Sequence, residues 1–224
     1  MIGRLTRLLV LAMLAPALCA FTLEAGVSLA SNASLFLLNG STYGFLCYVL
    51  LSTLFLSRKP GFWGTLEHEF EHAVAGRLLG HRPQKLIVDA QGDSATSFTR
   101  NPNALILLAP YYLPLLTILL LIAKLVAGLL CPSVRDALDF VIGFTLAAHY
   151  GSAVRQFSRR QTDITKTGLL FSCIVTLTMN VILLVIIAGM VVNNYLAIRD
   201  YFARSLVRSL ESYDFLLQVW RGPK

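Results

Sequence analysis

Apolar residues in this chain gather into long runs, with the polar residues collected between them. The first run covers about residues 5–30 and the second about 34–56, which ends at Ser57-Arg58-Lys59-Pro60-Gly61. Pro60 and Gly61 predict a break between helices. A helix over about 62–79 follows, apolar on much of its surface yet carrying Glu67, His68, Glu69, Glu71 and His72. The run 104–130 contains Pro110 and Pro114, which predict a kink that membrane helices tolerate. Two further runs cover about 137–157 and 169–192. Runs near twenty apolar residues match the length a helix needs to cross a hydrocarbon core. The pattern therefore predicts an all-α membrane protein with about six transmembrane helices.

Two segments depart from that pattern. Residues 81–103 form the one extended polar stretch, and in it 85–90 (Lys-Leu-Ile-Val-Asp-Ala) and 94–98 (Ser-Ala-Thr-Ser-Phe) flank Gln91-Gly92-Asp93. Strand-like runs around a glycine-containing turn predict a short β-hairpin after the third helix. In the tail, Ile198, Phe202, Leu206, Leu210 and Leu217 recur near helical spacing, with Arg199, Arg204 and Arg208 between them. That spacing predicts an amphipathic helix lying on a membrane surface or packing on the bundle. No internal repeat is visible. The expected organisation is a polytopic membrane domain over 1–194, with its core at about 35–192, and an amphipathic tail over 195–224.

Composition agrees with the pattern. Of 224 residues, 56% are hydrophobic and only 14% charged, about half the charged share of a soluble domain. The formal net charge of +7 comes from basic residues beside the apolar runs, as the positive-inside bias requires. No basic stretch alternates with aromatics as a nucleic-acid groove would, so nucleic acid is not an expected partner. Arg82, Lys85, Arg100, Arg155, Arg159, Arg160 and Lys166 place the loops 80–103 and 155–166 on the cytoplasmic side. The N-terminus imitates a secretory signal, but Leu18 spoils a cut after Ala20, so the first run is expected to remain as a helix. Cys19, Cys47, Cys131 and Cys173 are far apart, form no CxxC and read as packing residues. Lys124 lies inside an apolar run and is expected to snorkel or to face the protein interior.

The chemistry concentrates in His68-Glu69-Phe70-Glu71-His72, an HExxH motif. On a helix, residues four apart share a face, so both imidazoles can reach one ion. Zinc suits two neutral imidazoles and one oxygen ligand, with a fourth position left to water. Glu69, beside the ligand face, is placed to take that water's proton. Charged clusters at membrane depth are costly and usually functional. A third protein ligand must come from elsewhere. Asp163, at the polar end of the fifth run, is the first candidate, and capping the next helix is its rival role, with Thr165 nearby. His149, within an apolar helix, is the runner-up ligand. Glu67 and Glu71 form a like-charge pair one turn apart, and one of them is expected to be protonated or to pair with an arginine such as Arg155.

An apolar HExxH helix, a short hairpin, a kinked helix and then a helix ending in an aspartate resemble the site-2 protease type of intramembrane zinc metallopeptidase, in a compact bacterial form. The matching stretches are 67–77 (Glu-His-Glu-Phe-Glu-His-Ala-Val-Ala-Gly-Arg), 103–114 (Asn-Ala-Leu-Ile-Leu-Leu-Ala-Pro-Tyr-Tyr-Leu-Pro) and 161–164 (Gln-Thr-Asp-Ile). The resemblance covers roughly residues 35–190. It implies that His68, His72 and Asp163 bind zinc, that Glu69 activates water, and that the hairpin near 85–98 pairs with an unwound substrate segment. It implies a multi-pass protein of a bacterial inner membrane that cuts membrane-anchored proteins. The chain departs from the family in one place: members carry Leu-Asp-Gly within a helix, whereas Ile164 follows Asp163 and the nearest glycine is Gly168. Two other functions compete with this expectation. One is a membrane zinc peptidase acting on soluble peptides; the other is a non-catalytic scaffold with a structural metal.

Overall fold

The computed structural model describes residues 4–34, 39–55, 62–88 and 94–221. The break at Arg58-Lys59-Pro60-Gly61 and the turn Gln91-Gly92-Asp93 lie outside them. The chain is mostly helical with one two-stranded sheet. Its elements are α1 (Arg4–Ser31), α2 (Gly40–Phe55), α3 (Phe62–Leu78), β1 (Pro83–Val88), β2 (Ser94–Phe98), α4 (Ala104–Leu108), α5 (Leu115–Leu130), α6 (Arg135–Gln156), α7 (Thr162–Thr167), α8 (Leu169–Val191) and α9 (Tyr195–Arg221). A 3₁₀ turn, Ala109–Tyr111, follows α4, and another, Pro132–Val134, precedes α6.

Fewer helices can span a membrane than the six expected. Among the described residues three are long and apolar enough: Leu9–Ser31, Arg135–Gln156 and Leu169–Val191. The fourth apolar run is broken, its two parts meeting at 76°, and it makes a fourth span only if the bent pair counts as one. The cause is local. Pro110 and Pro114 withdraw two backbone donors within four residues, and α5 restarts in a new direction. The second run yields only 16 helical residues, short of the ~20 a span needs. α3, with 17 residues, falls short of the same length.

Contacts divide the chain into two compact units, Asn39–Ser172 and Met1–Leu38 with Cys173–Lys224, so the boundary falls inside α8. The tail helix α9 packs along α1 within its own unit. Glu24 of α1 is buried and pairs with Arg204 (3.0 Å) and Arg208 (2.6 Å) of α9. The Tyr201 ring meets Phe21 edge-on at 5.9 Å, and its hydroxyl donates to the Phe21 carbonyl. Asn194 donates to Asn32 at the other end of the pair.

In the unit Asn39–Ser172, α2 and α6 approach closely through glycine. Gly40 and Gly44 are four residues apart, and a Cβ at Gly44 would overlap the Phe140 carbonyl. A Cβ at Gly143 would overlap the Ser41 carbonyl. Small residues four apart that let backbones touch are the usual device of membrane helix pairs. Between α5 and α6, the buried Lys124 faces inward and pairs with Asp139 at 2.6 Å. The hairpin is antiparallel, with Leu86 opposite Thr96 and Val88 opposite Ser94. It packs on α3 where Gly76 leaves room for the Phe98 ring. All four cysteines are free.

Candidate metal centre

The i, i+4 spacing of His68 and His72 places both rings on one face of α3, 4.9 Å apart and nearly perpendicular. Both residues are buried. The third member comes from beyond a turn. α6 ends at Gln156, the chain turns through Ser158–Gln161, and the short α7 packs against α4. Asp163 is the second residue of α7, whose N-cap is Gln161; the capping role for α8 is therefore not what it performs. Its Oδ2 lies 3.4 Å from His68 Nε2 and 3.3 Å from His72 Nε2. Gly168, at φ 91°, makes the sharp exit into α8 in a region that favours glycine.

These distances fit a metal. Tetrahedral zinc with bonds of about 2.0–2.1 Å puts neighbouring ligand atoms roughly 3.3–3.4 Å apart. The tautomer fits as well. His72 Nδ1 lies 2.8 Å from the Ile106 carbonyl oxygen, an acceptor only. Nδ1 must therefore carry the proton and donate, which leaves the Nε2 lone pair facing Asp163. The same carbonyl accepts from the Ala109 N–H at the end of α4. In a regular helix it would accept from residue 110 instead, and Pro110 has no N–H. Asn103 caps α4 by accepting from the Ile106 N–H at 3.0 Å and so fixes the peptide's position.

Glu69 is buried on the neighbouring face, and β2 holds its carboxylate at both oxygens. Ser94 Oγ donates to Oε1 at 2.7 Å, and Thr96 Oγ1 donates to Oε2 at 2.7 Å. Thr96 is also 3.0 Å from the Glu69 carbonyl oxygen. The two hydroxyls are two residues apart on a strand and therefore share a face. A cavity of about 370 Å³ opens beside these groups, lined by His68, Glu69, His72, Asp163, Ser94 and Thr96 among others. Tyr111 packs edge-on against His68 at 5.4 Å and interacts with Asp163.

His149, the other ligand candidate, is not in this group. It is buried in α6 with its Nδ1 3.2 Å from Glu71 Oε1. Arg155, the expected partner of the glutamates, donates instead to the Tyr48 hydroxyl at 3.3 Å. The sequence reading missed Ser94, Thr96, Tyr111 and the Ile106 carbonyl. The only signal for the first pair was their alternation on a strand; Tyr111 stood in a quoted stretch without a role. Comparison with family models, with curated proteins and with solved structures gave no match in any of the three.

Proposed function

We propose that this chain is a zinc-dependent endopeptidase of the membrane, cutting membrane-anchored proteins in or beside the bilayer. One observation carries the reading: Asp163 converges on His68 and His72 at zinc-like spacing with the buried Glu69 next to them. The membrane setting is supported by the three helices long and apolar enough to cross. His68, His72 and Asp163 would hold the ion, which would acidify a bound water and polarise the scissile carbonyl. Glu69 takes the water's proton and returns it to the leaving amine. Ser94 and Thr96 fix the plane of that carboxylate, so the base does not have to find its orientation at each turnover. Both oxygens retain a lone pair for the water after accepting one hydroxyl each. The hairpin that holds the base also offers backbone edges to an extended peptide.

The test is metal content and cleavage of a membrane-anchored reporter, measured on the detergent-purified chain and on Glu69→Gln. The wild type should hold zinc and cut. The variant should hold zinc equally and lose cleavage by roughly 10²–10⁴-fold, since an amide cannot accept the proton. Near-normal cleavage by Glu69→Gln would sink the proposal. Cleavage of soluble peptides with the anchored reporter untouched would move the substrate class to soluble peptides.

A further inference from the structure

One residue around α3 from the zinc-type pair stands a second group. Glu67 and Glu71 are also four apart and share a face, turned about 100° from that of His68 and His72. His149 reaches this face from α6. One ligand atom from each of Glu67, Glu71 and His149 falls within 4.8 Å of the others. Glu71 is 1% exposed and His149 2%.

We infer that Glu67, Glu71 and His149 form a second divalent-cation site. Electrostatics supplies the first argument. Two carboxylates drawn together in a buried place repel each other and lose hydration, a cost that a proton or a cation must offset. Two buried carboxylates outside the first centre each meet a Lys or Arg side chain: Asp139 has Lys124, and Glu24 has Arg204 and Arg208. Among the described residues, the one ion pair at Glu67 or Glu71 is the contact with the imidazole of His149. A divalent cation balances the two carboxylates to zero.

Ligand capacity supplies the second argument. The hydrogen bond from the Leu115 N–H to Glu71 Oε1 is long, 3.5 Å, and leaves the carboxylate most of its lone pairs. The His149 ring is nine-tenths buried or more and turns Nδ1 to Glu71, while its other nitrogen, Nε2, has no hydrogen-bond partner. Two carboxylate oxygens and one imidazole nitrogen, with no thiolate, make a harder set than the two imidazoles of the first centre, suited to manganese or iron(II) as well as zinc. The first centre has one carboxylate and two imidazoles, so the two sites differ in charge and in preference. The inference requires neither metal at the first centre nor peptidase activity.

Equilibrium dialysis of the purified chain against Zn²⁺ alone and Mn²⁺ alone, with bound metal counted per chain, tests it. Wild type should bind two equivalents of zinc. The double variant His68→Ala/His72→Ala should keep one, and that equivalent should exchange with manganese. Glu71→Gln with His149→Ala should also keep one, held now by the first centre. If the latter pair does not fold, the half-buried Glu67→Gln serves. It should weaken the equivalent retained in the His68→Ala/His72→Ala background at least tenfold. One equivalent in the wild type that vanishes with His68 and His72 would overturn the inference and mean that the two glutamates share a proton. Unchanged affinity in Glu67→Gln would overturn it too. A chain that keeps its second equivalent but never cleaves the reporter would retain this site and lose the proposed activity.

Discussion

In the unit that contains α1 and α9, the buried Glu24 meets two guanidinium groups at 3.0 and 2.6 Å. In the unit that contains α3, the buried Asp163 meets two imidazoles, and Glu71 meets a third. Guanidinium is always charged and carries donors only, so each oxygen of Glu24 faces a fixed positive charge and the carboxylate is neutralised in place. Imidazole is neutral over much of the physiological range and keeps a lone pair. The first arrangement is closed and can only hold helices together. The second gathers acceptors at one point and leaves them able to bind something positive. Burial of charge alone therefore does not mark a reactive place; the identity of the partner does.

Three variants test the contrast, beginning with the largest effect. Asp163→Ala should lose zinc and drop reporter cleavage to background, while its melting temperature without metal changes little. Two protein ligands hold the ion poorly. Zinc retained in full by this variant would remove Asp163 from the centre. Next, Arg204→Ala with Arg208→Ala should leave Glu24 buried without its partners. Both guanidiniums are about half exposed, so the cost falls below that of a fully buried pair, at about 1–3 kcal/mol. Thermal melting in detergent should show it, and zinc content should stay at the wild-type level. If zinc is lost as well, the two kinds of carboxylate are not independent. The smallest effect is expected from Ser94→Ala with Thr96→Val. Hydrogen bonds to a charged acceptor are worth about 1.5–3 kcal/mol each, and only part of that is felt in the proton-transfer step. The pair should lower kcat by roughly 10–100-fold with zinc and KM little changed. A fall in zinc content instead would mean that β2 supports the metal ligands rather than the base.

The local periodic features were readable in advance. HExxH fixes its own geometry, because a helix brings residues four apart onto one face whatever surrounds it. The second strand falls at 94–98 as expected, the first spans 83–88 against an expected 85–90 whose last two residues lie outside the described ones, and the ends of α6 and α8 follow the apolar runs within two residues. Features that depend on how elements meet were not readable. Asp163 reaches His68 and His72 because α6 stops at Gln156 and a separate short helix follows the turn, and no pattern in Ser158-Arg-Arg-Gln161 announces it. The partner of Glu71 was sought among arginines and is a histidine, since Arg155 turns to Tyr48. The count of spans fell because the second run gives only 16 helical residues and α3 only 17, and because the fourth run is broken at its prolines. The glycines at 40, 44 and 143 were visible in the sequence, but their use appears only once α2 lies against α6.

Pro110 shows what a helix can gain by giving up a bond. The Ile106 oxygen accepts from the Ala109 N–H and lies 2.8 Å from the ring of His72. Those two donors fill its two lone pairs. Proline at 110 keeps a third donor, the amide four residues on, out of the contest. Pro110→Ala would supply that amide and raise the intrinsic helix propensity of the segment. By the usual criteria it is a stabilising change. Here the added helical bond would crowd the imidazole, freeing the ring to place its proton on the nitrogen that faces Asp163. A search for thermostable variants would therefore enrich a substitution that makes the chain more robust and less able to retain its ion, a trade-off located in a single carbonyl group.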